Sequence, residues 1–133
     1  LSYQNAADAV DSVTRILLET DNTELQVGCL KALGTFADPH TLPVMQNFID
    51  HRDWVIRSQA VRAAASVSTP EIIPELSMRI AVDQNHWVRL YSAEALGRFG
   101  RTGRRELESL LGRVDDQEAQ TIIKYVLEKQ GND

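Results

Sequence analysis

Apolar residues recur at helical spacing from one end of the chain to the other, and this periodicity narrows the available folds more than any other feature. Near the N-terminus Ala6, Val10, Val13 and Leu17 fall at the i, i+4, i+7, i+11 positions that form one stripe on a helix. That helix is expected to end near Thr20-Asp21-Asn22-Thr23, and the next runs from about Glu24 to Ala37 with Val27, Leu30 and Leu33 inward. No segment shows sustained alternation flanked by hairpin turn pairs, so the chain reads as all-α.

An internal repeat lies on top of the helical pattern. Asp38-Pro39-His40-Thr41-Leu42-Pro43 and Thr69-Pro70-Glu71-Ile72-Ile73-Pro74 share one layout: a capping residue, a Pro at the first helical position, an aliphatic residue and a second Pro. Asp38 and Thr69 are expected to cap a first-turn amide, and Pro39 and Pro70 fill a position that needs no donor. Pro43 and Pro74, one turn further on, predict a kink or an irregular first turn. Asp53-Trp54-Val55 and His86-Trp87-Val88 each open a helix, which sets the period at about thirty-three residues. Thr102-Gly103 marks a further start, and the stripes Leu107, Leu110, Leu111 and Ile122, Ile123, Val126, Leu127 complete a fourth helical pair. The expected limits are 3–37, 38–67, 69–100 and 102–130.

Composition bounds what such a chain does. At 133 residues it fits one domain over residues 1–133, and no apolar run approaches the roughly 20 residues of a spanning helix. Leu1 stands where an initiator Met would, which suggests a segment of a longer protein. The single Cys29 allows no internal disulfide and reads as a buried thiol. A formal charge of −5 weighs against broad affinity for nucleic acid or anionic membrane, both of which reward excess Lys and Arg.

The stretch Asp83-Gln84-Asn85-His86-Trp87-Val88-Arg89-Leu90-Tyr91-Ser92-Ala93-Glu94-Ala95-Leu96-Gly97 resembles the pattern of HEAT repeats: Asp, a short turn, Val-Arg, small residues, then Ala-Leu-Gly. Lys31-Ala32-Leu33-Gly34 echoes its end. The resemblance covers nearly the whole chain and implies a right-handed α-α superhelix, a solenoid of about four HEAT-like (armadillo-type) helical hairpins. It also implies a structural ion pair between Asp83 and Arg89. The second repeat departs from the pattern, with Ile56 where Arg89 stands and Arg57 one place later, and the final repeat lacks the Val-Arg pair. The terminal repeats read as end caps.

Residues outside the packing pattern are the candidates for function. On the third inner helix Val88, Ser92, Ala95 and Phe99 form the inward stripe, leaving Leu90, Glu94 and Arg98 outward and Tyr91 on the flank. Arg57, Ser58 and Val61 are taken as the matching positions of the second repeat, and the seven together form the expected partner-binding face. Trp54 and Trp87 either cover the turns of their own repeats or form an aromatic ledge for a partner. Arg101, Arg104 and Arg105, with Arg98, are the densest charge cluster, read either as an anion patch or as cations favoured by a helix dipole. His51-Arg52-Asp53 copies three letters of the kinase catalytic loop without its Asn or any glycine-rich loop, a coincidence. His40, His51 and His86 have no Glu or second His at ligand spacing, so no metal site and no cofactor is expected.

The leading expectation is a non-catalytic scaffold or adaptor that binds another protein or peptide on the concave inner-helix face. The family resemblance also admits a bilin-lyase-like, cofactor-handling protein and, less readily, a DNA-binding module. The expected chain is no enzyme and makes no nucleic-acid or membrane contact. A cytoplasmic location follows by default from the missing signal and paired cysteines.

Overall fold

A computed structural model describes residues 3–131. Every element of regular structure among the described residues is helical. The chain divides into two units, one ending at Val67 and the other starting at Ser68. The first contains α1 (Tyr3–Glu19), α2 (Thr23–Phe36), a 3-10 turn (Pro39–Thr41), α3 (Leu42–Gln46) and α4 (Trp54–Ser66). The second contains a 3-10 turn (Pro70–Ile72), α5 (Ile73–Val82), α6 (His86–Gly97), α7 (Gly100–Arg113) and α8 (Gln117–Gly131).

The second helix of each pair starts in the same way. A helix leaves its first amides without partners, and an Asn or Asp just before it supplies an oxygen to one of them. Asn22 Oδ1 accepts from Leu25 N at 2.9 Å, Asp53 Oδ1 from Val55 N at 2.9 Å, Asn85 Oδ1 from Trp87 N at 2.9 Å and Asp116 Oδ1 from Ala119 N at 2.9 Å. Four residues after each cap a long side chain folds back onto the preceding turn. Gln26 Nε2 donates to the Thr20 carbonyl at 3.3 Å, Arg57 Nη1 to His51 at 2.8 Å, Arg89 Nη2 to Ala81 at 3.3 Å and Gln120 Nε2 to Val114 at 2.9 Å.

These caps correct the repeat register. Asp53 and Asn85 are equivalent, so the step is thirty-two residues and Arg57 stands at the place of Arg89. Trp54 is the first residue of α4 and Trp87 the second of α6, so the two tryptophans do not match. A thirty-three-residue spacing matches the large side chains Trp54 and Trp87 rather than the residues that start the helices.

The double-proline segments have the predicted irregular first turn. Each opens as a 3-10 turn and passes into an α-helix near whose start Pro43 or Pro74 lies, where a missing N–H costs nothing. Asp38 caps the first of them, accepting from His40 N at 2.9 Å, and that bond, with the His40 ring beside it, lowers the Asp38 pKa. Thr69 makes no capping bond, against expectation. In the second pair α3 is only 5 residues long before the chain turns toward α4.

Within each unit the second helices pack on one another, α2 on α4 and α6 on α8. The contact is close because a glycine lies in it. A Cβ on Gly34 would come within 3.0 Å of Ala63 Cα, and one on Gly97 within 3.1 Å of Val126 Cγ1. The glycine carbonyls are also hydrogen-bonded across the contact: Ser66 Oγ donates to Gly34 at 2.8 Å and Gln130 Nε2 to Gly97. Leu30, Leu33, Ile56 and Val61 are fully buried in the first unit, and Ile80, Leu96, Leu107 and Ile123 in the second. Cys29 is buried as expected, and burial pushes its thiol pKa up.

The structural ion pair of the second unit is not the one expected. Arg89 is buried and its Nη1 donates to Asp116 Oδ1 at 2.8 Å and lies 3.4 Å from Glu118 Oε1. Asp83 takes the Asn85 amide at 2.9 Å and the Arg79 guanidinium at 3.3 Å. Arg89 therefore reaches forward to the cap of the next second helix rather than back to the turn of its own pair. The bond from Arg89 holds the Asp116 carboxyl below its ordinary value, with the Ala119 amide adding to the effect.

Two outcomes follow for stability. Ser92 is fully buried and its hydroxyl makes no hydrogen bond among the described residues, while the matching residue of α4 is the equally buried Ala60. Ser92→Ala is expected to raise stability by about 1 kcal/mol in urea unfolding, because it removes an unpaired buried hydroxyl; a loss of stability would mean that the hydroxyl is satisfied. For Asp116 the folded pKa lies below the unfolded value of 3.8, so its contribution is present above that value and is lost as the pH falls through the lower folded one. Asp116→Asn keeps a capping oxygen but no charge. Its stability deficit relative to the native chain should narrow when urea midpoints are compared at about pH 6 and about pH 3; a constant deficit would exclude the charge as its source.

Candidate functional site

In the second unit, the glycine contact opens into a shallow groove of about 450 Å³ between the C-terminal ends of α6 and α8. Glu94 and Arg98 of α6 line one side, and Lys129, Gln130 and the buried Val126 of α8 the other. Lys129 Nζ lies 3.8 Å from Glu94 Oε2, a separation at which water competes with the direct contact. Lys129 also sits 5.9 Å over the Tyr125 ring. Gln130 is held by its bond to the Gly97 carbonyl, so its amide forms a fixed part of the wall.

At the other end of α6 the aromatic residues gather. The Trp87 ring meets His86 edge-on at 5.3 Å and lies 6.0 Å from Tyr91. His86 Nδ1 is 3.8 Å from Glu118 Oε1, one of the two carboxylates beside Arg89. Trp87 is 46% exposed and Trp54, at the start of α4 in the first unit, 40% exposed, so neither is core.

The first unit carries a groove of about 560 Å³ between α2 and α4, lined by Lys31, Thr35, Gln59, Arg62 and Ser66 around Gly34 and Ala63. Adding 63 to the numbers of Lys31, Thr35, Ala63 and Ser66 gives Glu94, Arg98, Val126 and Lys129. Each unit thus places its groove at the same point of the repeat with different side chains, Lys31 in one where Glu94 stands in the other.

The expected binding face is only partly present. Glu94 is half-buried and Arg98 exposed, and both line the second unit's groove. Leu90 and Tyr91 are half-buried. Ser58 and Val61 are buried, and Ser58 Oγ donates to the Val55 carbonyl at 2.9 Å, so neither presents a face to a partner. Half-buried Arg57 is held against the His51 and Arg52 carbonyls. The one-residue error in register accounts for this: the α4 residues matching Tyr91, Glu94 and Arg98 are Gln59, Arg62 and Ser66, and all three line the first groove. Lys31 and Lys129 were not singled out from sequence, although Lys31 and Glu94 both stand directly before Ala-Leu-Gly.

Arg101, Arg104 and Arg105 are exposed at the N-terminal end of α7, where the helix dipole disfavours cations, whereas Arg98, the C-cap of α6, stands where it favours one. Arg104 is engaged with Glu108 at 3.1 Å and the Leu127 carbonyl at 3.4 Å. His51-Arg52-Asp53 forms the turn that caps α4, with His51 Nδ1 accepting from Asp53 N at 3.0 Å. Among the described residues no three of His, Cys, Asp and Glu converge as metal ligands, and no helix is long and apolar enough to cross a membrane.

A search of curated proteins returned no match to the chain. The family model for HEAT repeats matches residues 10–97 and again 48–128. That coverage takes in both glycine contacts and all four capped helix starts, and the chain belongs to the HEAT-repeat family.

Proposed function

We propose that the chain is a non-catalytic scaffold that binds a protein or peptide along the grooves between the second helices of its repeats. HEAT repeats are commonly protein-interaction scaffolds. The observation that carries the reading here is the groove of the second unit. Its walls hold a carboxylate, a guanidinium, an ammonium and a carboxamide beside the buried Val126. Such a surface offers a polypeptide an acceptor in Glu94 and charged donors in Arg98 and Lys129. At the opposite end of α6, Trp87 and Tyr91 are aromatic residues of the kind that dominate binding energy at protein interfaces. The groove is open rather than enclosed, which suits a peptide or a protein edge better than a small substrate that must be shielded from water.

The test is affinity capture with the immobilised chain, followed by calorimetry on the purified partner. Arg98→Glu with Lys129→Glu reverses two exposed charges on opposite walls and leaves the core untouched. The expected result is binding weakened at least tenfold, about 1.4 kcal/mol, with an unchanged thermal melt. Equal affinity for both proteins would move the binding face elsewhere, and capture of only nucleic acid or a bilin would replace the scaffold reading.

A further inference from the structure

The first helical pair leaves exposed an apolar stripe that the repeat architecture buries elsewhere in the same unit. Counting from the caps, Leu25 of α2 stands where Ile56 stands in α4 and Ala119 in α8, each three residues after its Asx cap. Ala32 stands likewise where Ala63 and Val126 stand, ten residues after the cap. Ile56, Ala63, Ala119 and Val126 are all buried, and Ala63 and Val126 are the residues pressed against Gly34 and Gly97 of the preceding second helix. On α2 no second helix among the described residues covers the same stripe. Leu25 is 46% exposed, Ala32 is half-buried and Phe36, one turn beyond, is 38% exposed. Spacings of 7 and 11 residues put Leu25, Ala32 and Phe36 on one line of the helix.

The last helix treats its own outer side differently. Eight, nine and twelve residues after the cap α2 has the fully buried Leu30 and, in the groove it shares with α4, Lys31 and Gly34; in α8 the same positions are Lys124, Tyr125 and Glu128, all exposed. A Glu has replaced the glycine that permits close packing, and a Lys has replaced a buried Leu. A polar outer face closes a repeat array, whereas an apolar one leaves it open.

We infer that the Leu25–Ala32–Phe36 face of α2 is a stacking site for a further helical pair of the HEAT type, one whose second helix carries Gly or Ala twelve residues after its cap. Ala32 requires that small residue, just as Ala63 requires Gly34. A second copy of this chain does not fit the requirement, because the helix it would present end to face is α8 with Lys124 and Glu128. The interface continues one already in the molecule, the packing of α4 on α2, and needs no new geometry.

The test joins a second copy of residues 68–99, which supplies α5, α6 and Gly97, ahead of α1 in the full chain. The expected result is a melting temperature raised by at least about 4 °C and several-fold protection of the Leu25 and Phe36 side chains from hydroxyl-radical labelling. Leu25→Glu with Phe36→Glu in the same fusion should abolish the rise, and the labelling of the unmutated fusion stands independently of how that variant folds. No rise with unchanged labelling, or an equal rise in the double variant, overturns the proposal. Sedimentation of the unextended chain as a dimer that Leu25→Glu and Phe36→Glu disperse overturns it in favour of a second copy.

Discussion

The cap at the start of each second helix is the constraint on which the rest of the structure depends. Asn22, Asp53, Asn85 and Asp116 each end a turn and begin a helix with one side-chain oxygen, and the residue four places later ties the new helix back to the turn. Once the first residue of a helix is set, the 3.6-residue period sets the direction of every later side chain. The glycine of Ala-Leu-Gly then reaches the neighbouring second helix at Ala63 or Val126. Arg89 adds a charge-assisted bond to the same device, joining the start of α6 to the cap of α8 through Asp116.

The grooves lie beside that close approach, lined by the longer side chains of the two helices that meet there. Because the backbone contact carries the packing, the lining residues are free to differ. Lys31 and Glu94 occupy one place with opposite charge, as do Ser66 and Lys129 with different chemistry. Repeats of one geometry thereby present different surfaces, which is how a family with a common fold serves many partners.

Local chemistry was legible where one residue suffices to dictate it. The helical period, the irregular first turns after Pro39 and Pro70, and the burial of Cys29 were all readable from spacing and covalent geometry. Register is harder to read, because Trp54 and Trp87 are large and conspicuous while the caps that set it are small. The error of one residue placed buried Ser58 and Val61 on the binding face in place of Gln59 and Arg62. The family resemblance pairs Arg89 with Asp83 of its own repeat, whereas its carboxylate partner, Asp116, lies 27 residues on.

By itself the sequence determined that this protein is a run of helical pairs of the HEAT kind, since apolar periodicity, capping residues and helix-breaking prolines act over a few residues and need no partner. Only the tertiary structure decided which residues face a groove, which ion pair forms and that the stripe from Leu25 to Phe36 stays open while the outer face of α8 is polar. Exposure and pairing are properties of two helices together. A side chain's direction follows from its own helix, but what it meets there depends on a neighbour placed by contacts thirty or more residues away.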